Sequence, residues 1–251
     1  MVNKKQIDVI VEARMRASRL PGKVLMPGCG KAMLHHMVER LRWIPEISGV
    51  IIATTVNGND DCIAAFAKEL GVKCFRGSEE DVLGRVVKAA EYFGTDVIVE
   101  ITGDDPLIAP EVASQVIRAY LEKEGEVDFV TNEQVFTSPL GFNTRAFSSR
   151  LLNEVEKKAG HPMDREHVVN YIRQRPREFR IFNIEAEGVY RRPDIRLTLD
   201  TMEDYRVIKA VFEALYPVKP AFDGRDIITF LDSNPEISAM NRNIAQKTYN
   251  Y

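Results

Sequence analysis

The sequence predicts an α/β protein built on a mostly parallel sheet. Short apolar runs alternate with longer segments of helical period through the first half of the chain, as successive βαβ units do. The first run, "IDVIV" from Ile7 to Val11, is rich in β-branched residues and nearly unbroken in apolarity, as a strand covered on both faces would be. A length of 251 residues and an apolar fraction of 45% suit one domain with a sizeable core.

The first strand is expected over Ile7 to Val11, and it passes into a loop carrying Arg14, Arg16, Arg19 and Lys23, closed by Pro21 and Gly22. "KAMLHHMVERLRW", from Lys31 to Trp43, reads as a helix. Met33, Met37 and Trp43 serve a core or an interface there, and His35 and His36 lack the spacing of zinc ligands. Strands over Val50 to Ala53 and Val72 to Phe75 follow. Asp81 to Phe93 places Val82, Val86, Ala89, Ala90 and Phe93 on one helical face, with Ser78 available as a cap and Gly94 as a stop. Val97 to Ile101 is the fourth strand. Pro110 suits a helical first turn, and that helix runs through Val112, Val116 and Tyr120 to Gly125. Phe129 and Val130 open a fifth strand. The segment 137–176 breaks the alternation and reads as a lid or dimerisation subregion within a single domain spanning 1–251. "RLTLD", Arg196 to Asp200, reads as a strand, and Thr201 with Asp204 resembles a capping box ahead of Tyr205, Ile208, Val211, Phe212 and Leu215.

Composition narrows the function classes. A formal net charge of -3 argues against a general nucleic-acid binder, so the basic loop is local and suits a small anion. Three cysteines with no Cys-x-x-Cys pair suggest reduced thiols rather than a disulfide framework or zinc site. The start, "MVNKKQ", shows no leader, and no apolar run approaches the ~20 residues of a membrane helix, so a cytoplasmic location is expected.

In parallel sheets, ligands bind where strands end and helix N-termini offer unpaired N–H groups. At one such end, "ARMRASRLPGK" presents backbone and the forked donors of Arg14 and Arg19 to phosphate oxygens, with Lys23 as a movable charge. A solvated basic loop is the alternative. "VIVEITGDDPLI" sets Asp104 and Asp105 at the end of a buried strand, where acids either bind Mg²⁺ beside phosphates or hold a turn together. Asp200 could complete that metal site or cap the following helix. A cationic loop for a triphosphate and acids for its metal together suit phosphoryl or nucleotidyl transfer.

Five stretches in order, "ARMRASRLPGK", "FRGSEEDVLGRV", "ITGDDPLI", "DREHVVNYI" and "RLTLDTMEDY", span nearly the whole chain. They resemble the successive motifs of the spore-coat polysaccharide biosynthesis cytidylyltransferases, relatives of the acylneuraminate and 3-deoxy-manno-octulosonate cytidylyltransferases. The resemblance implies a glycosyltransferase-A-like, Rossmann-like fold with a mostly parallel mixed sheet flanked by helices. It also implies transfer of CMP from CTP to an acidic or modified sugar, with release of pyrophosphate, for surface polysaccharide or glycan synthesis. Arg14 and Lys23 would contact the triphosphate, and Asp104 and Asp200 would ligate Mg²⁺. Ala13, Ser18 and Arg19 join the implied nucleotide-binding set, with Ser78 at the ribose or base. Arg85 is a further candidate there, or a helix cation paired with Asp81. Asn132, Arg145, Arg165 and His167 form the implied sugar-binding set, although Arg165 and His167 also suit helical salt bridging. A homodimer is likewise implied.

Two stretches depart from the family pattern. Arg16 stands where a small residue usually follows "ARM", and "PLGFNTR", Pro139 to Arg145, replaces a segment rich in acids. Arg145 in place of an acid is expected to favour an anionic group on the acceptor, or else to serve a dimer contact. A glycosyltransferase acting on a nucleotide sugar and a catalytically silent nucleotide-binding subunit are the competing functions.

Overall fold

The computed structural model describes residues 5–245; the start of the chain, read above as free of a leader, lies mostly outside them. In chain order the elements are β1 (Ile7–Glu12), β2 (Pro27–Gly28), β3 (Lys31–Ala32), α1 (Met33–Leu41), β4 (Gly49–Thr55), α2 (Asp61–Glu69), β5 (Lys73–Gly77), α3 (Val82–Phe93), β6 (Val97–Thr102) and α4 (Pro110–Glu122). There follow β7 (Phe129–Thr131), β8 (Arg145–Ser148), α5 (Ser149–Lys158), α6 (Pro162–Glu166), α7 (Asn170–Arg173), β9 (Ile181–Asn183), α8 (Met202–Leu215), α9 (Gly224–Ser233) and α10 (Pro235–Ala239). The main sheet has seven strands in the order β5-β4-β1-β6-β8-β7-β9. β5, β4, β1 and β6 run parallel, joined through the intervening helices that such crossovers need. β8 alone is reversed, lying antiparallel between β6 and β7. The expected mostly parallel, mixed sheet is thus present.

Both faces are covered. Val9 and Val11 of β1 point into one core with α1, α2 and α4, whereas Ile10 points into a second core with α3, α5 and α7. A third cluster joins α8 and α9 to Leu197, Leu199 and Phe142. Met33 and Met37 are core residues, while Trp43 lies at the surface against Arg40. His36 is buried on Phe212 with Nε2 at the Gly28 carbonyl, a packing role.

Three local expectations change. "RLTLD" is extended but joins no sheet, because its backbone bonds to loops instead. Leu197 N donates to the Leu140 carbonyl at 2.6 Å and Leu199 N to the Asp104 carbonyl at 2.7 Å. This close approach depends on Gly141, whose φ is 111° and where a Cβ would lie 2.8 Å from the Leu197 carbonyl carbon. Asp81 rather than Ser78 caps α3, accepting from Gly84 N at 2.9 Å, because Ser78 lies one turn too early and accepts from Asp81 N. Finally, the segment 137–176 is partly core, since β8 lies within the sheet; α5, α6 and α7 complete it. The capping box of Thr201 and Asp204 at α8 is present as expected.

Candidate active site

A cleft of about 650 Å³ opens where β1 and β6 end, between the loop after β1 and the segments around 133–145 and 166–174. Gly103 brings its two floor strands together: a Cβ there would lie 2.4 Å from the Glu12 carbonyl oxygen, so only glycine lets the turn carry Asp104 to the rim. Asp60 holds the opposite loop by accepting from Met15 N at 2.7 Å, and Gly22 N closes it on the Met15 carbonyl.

At the mouth, Lys23 Nζ lies 3.0 Å from an oxygen of Asp104 and 3.0 Å from an oxygen of Asp200. Arg19 reaches the other Asp200 oxygen at 2.7 Å, and Arg196 also meets it at 3.0 Å. Burial disfavours the Asp200 charge, yet Lys23 and Arg19 outweigh it and hold the carboxyl below the usual carboxylate range. Burial likewise opposes the Lys23 charge, and the two aspartates overcome it and raise its pKa. Arg14 lines the same cleft and forms no ion pair among the described residues, which leaves its charge available to a ligand. Ala13 and Ser18 lie on the wall beside it.

Asp104 and Asp105 part company. Asp105 is buried and accepts from the Thr102 hydroxyl at 2.8 Å; burial and the neighbouring Asp104 push its carboxyl up to about 8. The metal-binding candidates are therefore Asp104 and Asp200. Among the described residues no three His, Cys, Asp or Glu side chains converge as a metal cage. Two carboxylates that already close on one ammonium do fit Mg²⁺, an ion that takes few protein carboxylates and completes its octahedron with water and phosphate oxygens.

The inner wall differs from its sequence reading. The Arg145 guanidinium donates to Glu100 at 2.6 Å and, through Nε, to Glu133 at 2.7 Å; Glu133 also receives Arg173 at 2.8 Å and Asn143 at 3.0 Å. Arg145 lines the cleft, and two buried glutamates pair with its charge. Arg85 is buried, with a bond to the Ser78 carbonyl, and is not the exposed partner of Asp81. Arg165 takes that place, bridging Asp81 and Glu156 away from the cleft lining. His167 does line the cleft, and burial lowers its pKa. Asn132 does not: it clamps the loop before β8 by donating to the Phe142 carbonyl and accepting from Thr144 N, both at 2.9 Å.

Several site residues escaped the sequence reading. Asp204, besides capping α8, receives Arg196 Nε at 2.8 Å and Asp200 N at 3.1 Å, and so fixes the carboxylate at the mouth. Glu12 and Glu100 line the cleft floor, and a charge inside each of the apolar strands "IDVIVE" and "VIVEIT" was the available signal. Glu133, Asn143 and Arg173 carry no such local signal.

The α/β fold thus sets three cations, Arg14, Arg19 and Lys23, beside Asp104 and Asp200 in one cleft of about 650 Å³. The family model described as cytidylyltransferase matches residues 9–222, and the chain belongs to that family. The spore coat polysaccharide biosynthesis protein SpsF of Bacillus subtilis is 35% identical over 232 residues, covering 90% of this chain and 94% of that protein. A 3-deoxy-manno-octulosonate cytidylyltransferase of Pelobacter propionicus is 36% identical over 118 residues, 46% of this chain and 45% of that protein. Among solved structures, a cytidylyltransferase from Leptospira borgpetersenii superposes with a TM-score of 0.89 at 31% identity, covering 98% of this chain and 100% of that one. No helix among the described residues is long and apolar enough to cross a membrane.

Proposed function

We propose that the protein transfers CMP from CTP to an acidic or modified sugar, with Mg²⁺, for surface glycan synthesis. A sugar hydroxyl oxygen forms a bond to the α-phosphorus, the bond from that phosphorus to the β-phosphate bridging oxygen breaks, and pyrophosphate and the hydroxyl proton are released. Arg14, Arg19 and Lys23 hold the phosphates and offset charge as pyrophosphate leaves. Asp104 and Asp200 hold Mg²⁺, which supplies charge neutralisation and orientation of phosphate oxygens when bound. Asp204 and Arg196 keep Asp200 in place.

The convergence of Lys23 on both aspartates carries this reading, because it gathers at one spot the cation and the carboxylates that a metal-bound triphosphate needs. The SpsF relative and the 3-deoxy-manno-octulosonate relative support sugars as acceptors. A cytoplasmic location and a homodimer complete the proposal, and fractionation and sedimentation test them.

The function is tested by melting the protein with each of the four nucleoside triphosphates, with and without Mg²⁺. CTP with Mg²⁺ at about 100 times Kd stabilises by about 2.7 kcal/mol, and the other bases do so less. Pyrophosphate release is then measured with a panel of sugar acids that includes 3-deoxy-manno-octulosonate. No stabilisation by CTP and no turnover would leave a silent subunit as the better description.

A further inference from the structure

Hydrogen bonding along the cleft is complete at one end and incomplete at the other. At the mouth, Lys23 donates to both Asp104 and Asp200. On the cleft floor the Glu12 carboxyl is buried with no partner but the Glu100 carboxyl, with which it shares a proton, and Asn143 Oδ1 is buried and unbonded. Asn143 is only 8% exposed, and its orientation is fixed because Nδ2 donates to Glu133 at 3.0 Å. Glu12 and Asn143 both line the cleft. A buried polar atom left without a partner costs roughly 1–3 kcal/mol, so such atoms on the wall of a substrate cleft mark where a ligand supplies the missing bonds.

Asn143 Oδ1 lacks a donor, while Arg85 Nε and Arg173 Nε in the same lining lack acceptors, so the fitting ligand group is one that both donates and accepts. An anion offers no hydrogen to the Asn143 amide oxygen. An ammonium group would meet Arg14 and Arg85, which form no ion pair among the described residues, in the same cleft. A hydroxyl carries a hydrogen and no charge, and it pairs with a carboxyl in either direction. Burial, and then the charge of Glu100, raise the Glu12 pKa well above the ordinary range, which favours the protonated form that both donates and accepts.

We propose that Glu12, assisted by Asn143, binds hydroxyl groups of the acceptor sugar and so helps set which sugar the enzyme accepts. This rests on the cytidylyltransferase reading. It also changes what is expected of the acceptor: the wall selects a pattern of hydroxyls, whereas Arg145, neutralised by Glu100 and Glu133, serves the framework.

Glu12→Ala and Glu12→Gln are compared with wild type. CTP with Mg²⁺ is titrated by melting, and the panel sugar that wild type binds is titrated by calorimetry and by pyrophosphate release, alongside its monodeoxy analogues. Glu12→Ala is expected to weaken sugar affinity at least tenfold while leaving CTP affinity within twofold and Tm undiminished. Glu12→Gln retains most of the affinity. Glu12→Ala also ceases to distinguish the sugar from the analogue lacking the hydroxyl that Glu12 meets. Unchanged sugar affinity in Glu12→Ala, equal losses for sugar and CTP, or undiminished discrimination among the analogues would overturn the assignment. Loss of CTP stabilisation in wild type itself would sink the nucleotide reading instead, and the two failures are therefore distinct.

Discussion

Replacing Lys23 with Met tests the geometry at the mouth most directly. Its ammonium is 3.0 Å from each of two carboxylates, and the side chains of Lys23 and Asp200 are only 12% and 11% exposed. At an effective dielectric of about 20, each contact is worth roughly 5 kcal/mol before desolvation. Removing one partner of a buried pair costs about 3–5 kcal/mol in practice, and the more open Asp104, with a side chain 27% exposed, places this case near the low end, about 3 kcal/mol. For a chain of this size that is a fall in Tm of about 6–12 °C. The substitution leaves Asp104 and Asp200 facing each other without the cation between them, so millimolar Mg²⁺ should restore more Tm to Lys23→Met than it adds to wild type. Pyrophosphate release from CTP should drop about a hundredfold or more, the usual loss of a preorganised group that offsets developing charge. Differential scanning fluorimetry with and without Mg²⁺, followed by a coupled pyrophosphate assay, reads all three effects. A Tm within about 2 °C of wild type, no added response to Mg²⁺ and unchanged turnover would refute the reasoning.

Asp200→Asn is expected to abolish the Mg²⁺-dependent part of CTP stabilisation, and Asp204→Asn to weaken it in the same melting assay by loosening Asp200. Arg145→Met leaves Glu100 and Glu133 buried without their shared cation; it should destabilise by about 3–5 kcal/mol in urea unfolding while CTP KM changes little. Asp105 titrates at about 8 in the folded chain against an ordinary 3.8. Folding therefore binds a proton between those values: the stabilisation is complete below about pH 4 and is lost as pH rises through 8. The Tm of wild type relative to Asp105→Asn should accordingly fall between pH 5 and pH 9, and a difference independent of pH would contradict the assignment.

Much of the fold was legible because its signals are local. Strands β1, β4 and β6 are buried on both faces, so each is a largely apolar run, and α8 announces itself through Thr201 and Asp204. The phosphate loop was legible for the same reason, with four cations and Pro21–Gly22 in one short stretch. "RLTLD" was misread as a strand because extended conformation and strand pairing share one residue pattern, and only the position of Gly141 and Leu140 decides between them. The partners of Arg145 were not legible, because charge in a sequence says nothing about what it meets: Glu100 lies 45 residues away and Glu133 lies 12.

By itself the sequence determined which segments are apolar strands, which helices flank them, and that a cationic loop follows the first of them and Asp104 the fourth. Tertiary structure alone decided that Lys23 lies between Asp104 and Asp200, that β8 runs backwards between β6 and β7, and that Glu12 has no partner on the cleft floor but Glu100. Periodicity and capping act over a few residues and are written into any short stretch. Ion pairs and unmet hydrogen bonds depend on distances across the folded sheet, which the chain fixes only when every strand has found its neighbour.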